Sequence, residues 1–86
     1  MFVILSYDVV SKRDGKVLRI CRRFLDHRQF SVFDGIITEA ELERLKEQLS
    51  KVIKPDEDSV YIYKFESLKY SRRESIGPEM HEGNIL

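Results

Sequence analysis

Phe2, Val3, Ile4, Leu5, Ser6, Tyr7 and Asp8 form the stretch that decides the fold. Its apolar side chains fall on both alternating faces, with Val3, Leu5 and Tyr7 on one and Phe2 and Ile4 on the other, and the run ends at a carboxylate. A strand that is apolar on both sides reads as a central strand covered twice. Beyond a polar turn, Val17, Ile20, Cys21, Phe24 and Leu25 take the spacing of a helix stripe, while Lys16, Arg19, Arg22 and Arg23 lie away from it. That pattern predicts an amphipathic helix with a basic back. Residues 29–37 are rich in β-formers, and Asp34-Gly35 near their middle either turns them into a hairpin or bulges one long strand; two short strands are expected.

Thr38 and Glu41 have the spacing of a capping box, opening a second helix whose buried stripe is Leu42, Leu45, Leu49 and Val52 and which stops before Pro55. Residues 59–65 again offer apolar groups to both faces. The order strand, helix, strand pair, helix, strand predicts an α+β fold, a ferredoxin-like βαββαβ sandwich in a single domain spanning residues 1–86. Two helices cover only one sheet face. The other face would be a large exposed apolar patch, so a sheet-to-sheet homodimer with twofold symmetry is expected. The polar tail, residues 66–86, is expected to pack on the partner subunit, with Ile85 and Leu86 adding an extra C-terminal strand to a sheet edge.

The 86 residues carry 15 Lys plus Arg against 15 Asp plus Glu, which suits one small domain. A chain of this size buries only about 60% of its unfolded surface, so a partner subunit is a natural source of extra stability. Cys21 is the sole cysteine, which excludes a disulfide within the chain, and it lies on the apolar helix stripe as a core thiol. The N-terminal apolar run falls far short of the roughly 20 residues that span a bilayer. Neither secretion nor a membrane association is expected, and the cytoplasm is the expected compartment.

The zero net charge hides an asymmetry. From Lys12 to Arg28 there are seven bases against two acids, and from Thr38 to Asp58 seven acids against four bases. Lys12, Arg13, Lys16, Arg19, Arg22, Arg23 and Arg28 are therefore the candidate phosphate contacts, with a solvated helix face as the alternative. Asp8 ends a central strand and either caps a turn or binds a hard cation such as Mg²⁺, which takes one or two carboxylates and is completed by waters and substrate phosphates. A twofold axis near the strand ends would bring two copies of Asp8 together. A cation there would activate water for attack on a phosphodiester. Ser31 and Phe33 could position a phosphate or stack on a base, although packing in a dimer core is the expected role of Phe33. His27 and His81 have no helix-spaced partner and read as surface residues.

The residues quoted so far also carry a resemblance. Positions 3 to 10 (Val-Ile-Leu-Ser-Tyr-Asp-Val-Val), positions 29 to 35 (Gln-Phe-Ser-Val-Phe-Asp-Gly) followed by Thr38 and a Leu-rich helix, and positions 58 to 63 (Asp-Ser-Val-Tyr-Ile-Tyr) resemble the small CRISPR-associated endoribonuclease family, the smaller subunit of the spacer-acquisition complex. The likeness covers nearly the whole chain. It implies a ferredoxin-like homodimer whose C-terminal strand joins the partner's sheet, with Asp8 as the Mg²⁺ ligand. It further implies a metal-dependent nuclease acting on single-stranded RNA, or on duplex DNA, and a scaffold between dimers of the CRISPR integrase subunit in which the basic surface carries DNA. Lys16 stands where the family often has arginine. Where the family has an arginine two residues before the glutamine, this chain has His27, with Arg28 one place later. A non-catalytic DNA-binding scaffold is the alternative function, and a metabolite-binding regulatory module is a third.

Overall fold

The computed structural model describes residues 1–66 and 76–77. The elements run β1 (Phe2–Asp8), α1 (Ser11–Arg22), β2 (Asp26–Gln29), β3 (Val32–Ile36), α2 (Glu39–Ser50) and β4 (Ser59–Phe65). The four strands form one sheet in the order β2-β3-β1-β4, with every neighbouring pair antiparallel. This is the expected ferredoxin-like βαββαβ arrangement, and β1 occupies the central position its two apolar faces demand. The terminal strand at Ile85 and Leu86, residue His81 and the packing of the tail lie outside the described residues.

Alternation on β1 sorts the molecule into two layers. Val3, Leu5 and Tyr7 are buried with Val17, Ile20 and Cys21 of α1 and Leu42, Leu45 and Leu49 of α2, so this face carries the helices. The opposite face follows from the strand register. Phe2, Ile4 and Ser6 pair with Phe65, Tyr63 and Tyr61 of β4, and Phe2 also pairs with Ile36 of β3. Ile36, Tyr61, Tyr63 and Phe65 are exposed on that side. Such a contiguous apolar and aromatic surface is more than the scattered exposed side chains of an ordinary monomer.

The second helix begins as its sequence predicts. Thr38 Oγ1 accepts from the Glu41 amide at 3.1 Å, and Glu41 Oε1 accepts from the Thr38 amide at 2.8 Å. These two bonds satisfy donors that a helix start otherwise leaves open, and they hold the Glu41 carboxyl below its ordinary pKa.

Two local expectations are corrected. Phe24 and Leu25 do not extend α1. The helix ends at Arg22, and the Leu25 amide donates to the Cys21 carbonyl at 2.9 Å, folding Leu25 into the core from a turn. The hairpin does not turn at Asp34-Gly35 either. It turns at Phe30-Ser31, and β3 runs straight through Asp34 and Gly35. Gly35 serves packing instead, because a Cβ there would come within 3.3 Å of Leu25 Cδ2. The cost moves to the turn, where Phe30 takes φ +46°, a left-handed value that side chains disfavour.

Candidate functional site

The end of β1 is held from two sides. On one side the Tyr7 amide donates to the Ser31 carbonyl at 3.2 Å, joining β1 to the β2–β3 turn. On the other, Asp8 pairs with Ser59 at the start of β4. Asp8 follows Phe2, Ile4 and Ser6 in the alternation, which puts it at the rim of the sheet face opposite α1 and α2. It is exposed, and its carboxylate makes no hydrogen bond or ion pair with any described residue. A hard oxygen donor in that state suits a divalent cation that keeps most of its waters. One carboxylate is a sparse ligand set, and no group of three His, Cys, Asp or Glu side chains suited to a metal occurs among the described residues.

A second acid next door is fully engaged. Asp58, whose side chain is 0% exposed, accepts from the Val10 amide at 2.9 Å and the Lys54 amide at 2.8 Å, and from Arg13 Nε at 2.6 Å and Nη2 at 3.1 Å. Arg13 Nη2 also donates to Glu57 at 2.6 Å. The Arg13 guanidinium, with help from the two amides, holds the Asp58 carboxyl far below the ordinary carboxylate range, and the two acids hold Arg13 firmly protonated. This clamp fastens the start of α1 to the loop before β4. It thereby positions the Asp8–Val10 connection. Only a capable acid 45 residues from Arg13 makes the clamp, a separation at which sequence spacing carries no signal.

The clamp corrects the reading of Arg13, whose side chain is only 8% exposed and whose Nε and Nη2 are taken by Asp58 and Glu57. Arg28 is corrected in the same way. It is the extra residue of a bulge where the β2–β3 register shifts between His27 and Gln29. Its Nε donates to Asp34 at 2.6 Å, and Asp26 lies 3.7 Å from Nη2. Phe33 packs neither on a dimer core nor on a base. It is fully buried inside this chain under the helices, 6.2 Å from the Tyr7 ring and 4.6 Å from the His27 ring. His27 is accordingly half-buried rather than a surface residue. Ser31 sits in the turn, where its carbonyl serves Tyr7.

The remaining predicted cations, Lys12, Lys16, Arg19, Arg22 and Arg23, are exposed and form no ion pair with a described residue. Four of the residues around an open groove of about 370 Å³ between α1 and α2 are basic: Lys16, Arg19, Arg23 and Lys51, over a floor of Ile20 and Val52. Gln48 completes the rim and accepts from Arg23 Nη1 at 2.8 Å. No acid lines it. Gln48 lies on α2 and Lys51 caps its C-terminus, both in the acidic half of the sequence, and only the fold brings them to the basic helix. Burial pushes the Tyr7 hydroxyl up to about 12, reinforced by Asp14, and burial alone pushes the Cys21 thiol up to about 12. Neither is an available acid, base or nucleophile near neutral pH.

Against known proteins, residues 1–73 match the family model for the CRISPR-associated protein Cas2. This chain belongs to the Cas2 family. The CRISPR-associated endoribonuclease Cas2 of Dictyoglomus turgidum is 43% identical over 82 residues, covering 95% of this chain and 94% of its own. That of Thermotoga maritima is 38% identical over 86 residues, covering 100% of this chain and 99% of its own. A crystal structure of a Cas2 protein superposes with a TM-score of 0.82 at 34% identity, covering 100% of this chain and 97% of that one. Membership in Cas2 agrees with the resemblance carried by the strand-end Tyr7-Asp8 pair and the Ser31-Val32-Phe33 run. In this Cas2 fold the first of those motifs delivers an idle carboxylate, and the second supplies core packing and a turn.

Proposed function

We propose that two copies of this chain form a metal-dependent endoribonuclease acting on single-stranded RNA in CRISPR adaptation. The observation that carries the reading is Asp8, an exposed and unengaged carboxylate on a rigid strand end beside an uncovered apolar face. The names of the Cas2 relatives, CRISPR-associated endoribonucleases, support the reaction class. Covering Phe2, Ile4, Ile36, Tyr61, Tyr63 and Phe65 with the same face of a second copy would stabilise the pair by roughly 1.5–3 kcal/mol per fully buried large side chain. The same contact would bring the two Asp8 carboxylates toward one cleft. Asp8 from each copy would hold the Mg²⁺, which supplies a water of lowered pKa and neutralises charge on the phosphodiester. The Asp58 clamp and the Tyr7–Ser31 bond keep the two acids at fixed positions, so no loop need be ordered when RNA arrives. Lys12, at the first turn of α1 just beyond the Asp8 connection, would hold a phosphate.

A second reading rests on its own observation. The groove cations Lys16, Arg19, Arg23 and Lys51 lie on the helix layer, whereas Asp8 is at the rim of the opposite face. Duplex DNA held along the helices would not place a phosphodiester at Asp8, which is the behaviour of a non-catalytic scaffold joined to an integrase subunit. The two readings separate in one experiment. Labelled single-stranded RNA and duplex DNA are incubated with the protein in Mg²⁺ or in EDTA, and Asp8→Asn is run beside it. The nuclease reading expects Mg²⁺-dependent cutting of the RNA that disappears in the variant. Equal cutting by Asp8→Asn, or cutting that survives EDTA, would remove the enzyme claim and leave the scaffold.

A further inference from the structure

The turn between β2 and β3 holds a feature that neither the core nor the clamp explains. Phe30 is 86% exposed and is the one residue other than glycine, among those described, with a positive φ. An exposed phenylalanine alone would need no account. A left-handed conformation is unfavourable at a bulky residue, and glycine or asparagine would fill the same turn at less cost. Here the strain projects an aromatic ring into solvent.

The backbone that carries the ring is anchored on both sides. The Phe30 carbonyl lies 2.6 Å from His27 Nε2, and the His27 ring stacks on Phe33 in the core. The next residue, Ser31, accepts the Tyr7 amide, one position before Asp8. Phe30 therefore stands at the corner of the sheet where β1 delivers its idle carboxylate, and Lys12 enters from α1 at that same end.

We propose that Phe30 is a base-stacking residue that captures an unpaired nucleobase of single-stranded RNA next to Asp8. This rests on the nuclease reading and deepens it, since it names single-strandedness as the property recognised. Every base offers a π face, so an exposed aromatic ring selects unstacked bases without regard to sequence. In a duplex the bases are already stacked on one another and the ring finds no partner. The phosphates on either side would be left to Lys12 and the cation.

The test is binding of a short single-stranded RNA carrying 2-aminopurine, measured in EDTA so that nothing is cut, with a duplex RNA of equal length as comparison. Phe30→Ala is expected to weaken single-strand binding about tenfold or more and to abolish the quenching of the 2-aminopurine, while duplex binding is unchanged. Phe30→Trp is expected to keep both. In Mg²⁺, Phe30→Ala should raise KM with little change in kcat. Phe30→Gly relieves the strain while removing the ring, so it should be at least as stable as the parent and bind single strands as poorly as Phe30→Ala. Unchanged single-strand binding in Phe30→Ala would overturn the proposal, as would an equal loss on duplex. Weakened self-association with RNA affinity intact would assign the ring to a second copy of the chain and overturn it also. If the unaltered protein binds no single-stranded RNA, the nuclease reading falls with it. If it binds RNA and Asp8→Asn still cuts, only the nuclease reading falls.

Discussion

Asp8 and Asp58 lie side by side in the fold, since Asp8 pairs with the residue after Asp58, yet they are used in opposite ways. Asp58 is buried and accepts four hydrogen bonds from two amides and one guanidinium. Asp8 is exposed and accepts none from the described residues. Burying a charge is tolerable only when its oxygens are satisfied, and Asp58 meets that condition in full. Asp8 is left to water on the strand end, with both carboxylate oxygens open to a cation. The same division separates the bases: Arg13 and Arg28 are spent on acids, while Lys16, Arg19 and Arg23 face solvent along a groove. The fold thus marks its candidate chemistry by what it leaves unengaged.

The comparison breaks most sharply at the two acids themselves. Asp8→Asn should lower Mg²⁺-dependent RNA cleavage at least a hundredfold while leaving Tm within about 2 °C, as a gel assay and calorimetry would show. Asp58→Ala should do the reverse in stability, dropping Tm by about 10 °C or more, because it leaves the buried Arg13 with Glu57 alone and takes the acceptor from the Val10 and Lys54 amides. A large Tm loss in the first variant, or none in the second, would erase the distinction.

Among the bases, Arg19→Glu with Arg23→Glu should weaken duplex DNA binding about tenfold or more and flatten its salt dependence by about two units of slope. Arg13→Gln should lower Tm and leave that slope alone. Acid sharpens the contrast further. A carboxyl whose pKa is depressed by folding contributes stability that is present above its unfolded value, near 3.9, and is lost as pH falls through the folded value. Asp58 should therefore leave stability flat from pH 7 to about 5 and contribute to a fall beginning only below about pH 4. Asp58→Ala should lose that part of the acid transition, and Asp8→Asn should retain it. The smallest effect belongs to the exposed cap: Thr38→Ala should cost about 1 kcal/mol in denaturant unfolding, without altering nucleic-acid binding.

Much of this molecule is written in local patterns. The double-sided β1 stretch, the capping box and the leucine stripe of α2 are short-range signals, and the sheet order with its uncovered face follows from them. Asp8 was legible because a strand end is local too. What spacing could not convey were partners distant in the chain. Nothing near Arg13 announces Asp58, so spacing alone reads a buried clamp as surface charge. Strand alternation alone does not place Phe33 inward, because its stacking on Tyr7 and His27 exists only once β1 and β2 flank β3. The Asp34-Gly35 pair is a strong turn signal, but here glycine answers the close approach of Leu25, and the turn falls on a phenylalanine that carries no such signal.

The central claim is that Asp8 is idle within one chain because it meets its counterpart from a second. Titration of the purified protein with Mn²⁺, a spectroscopic stand-in for Mg²⁺ with the same preference for oxygen ligands, tests it directly. The account predicts half an ion bound per chain, with none retained by Asp8→Asn. One ion per chain, or undiminished binding in that variant, would contradict it.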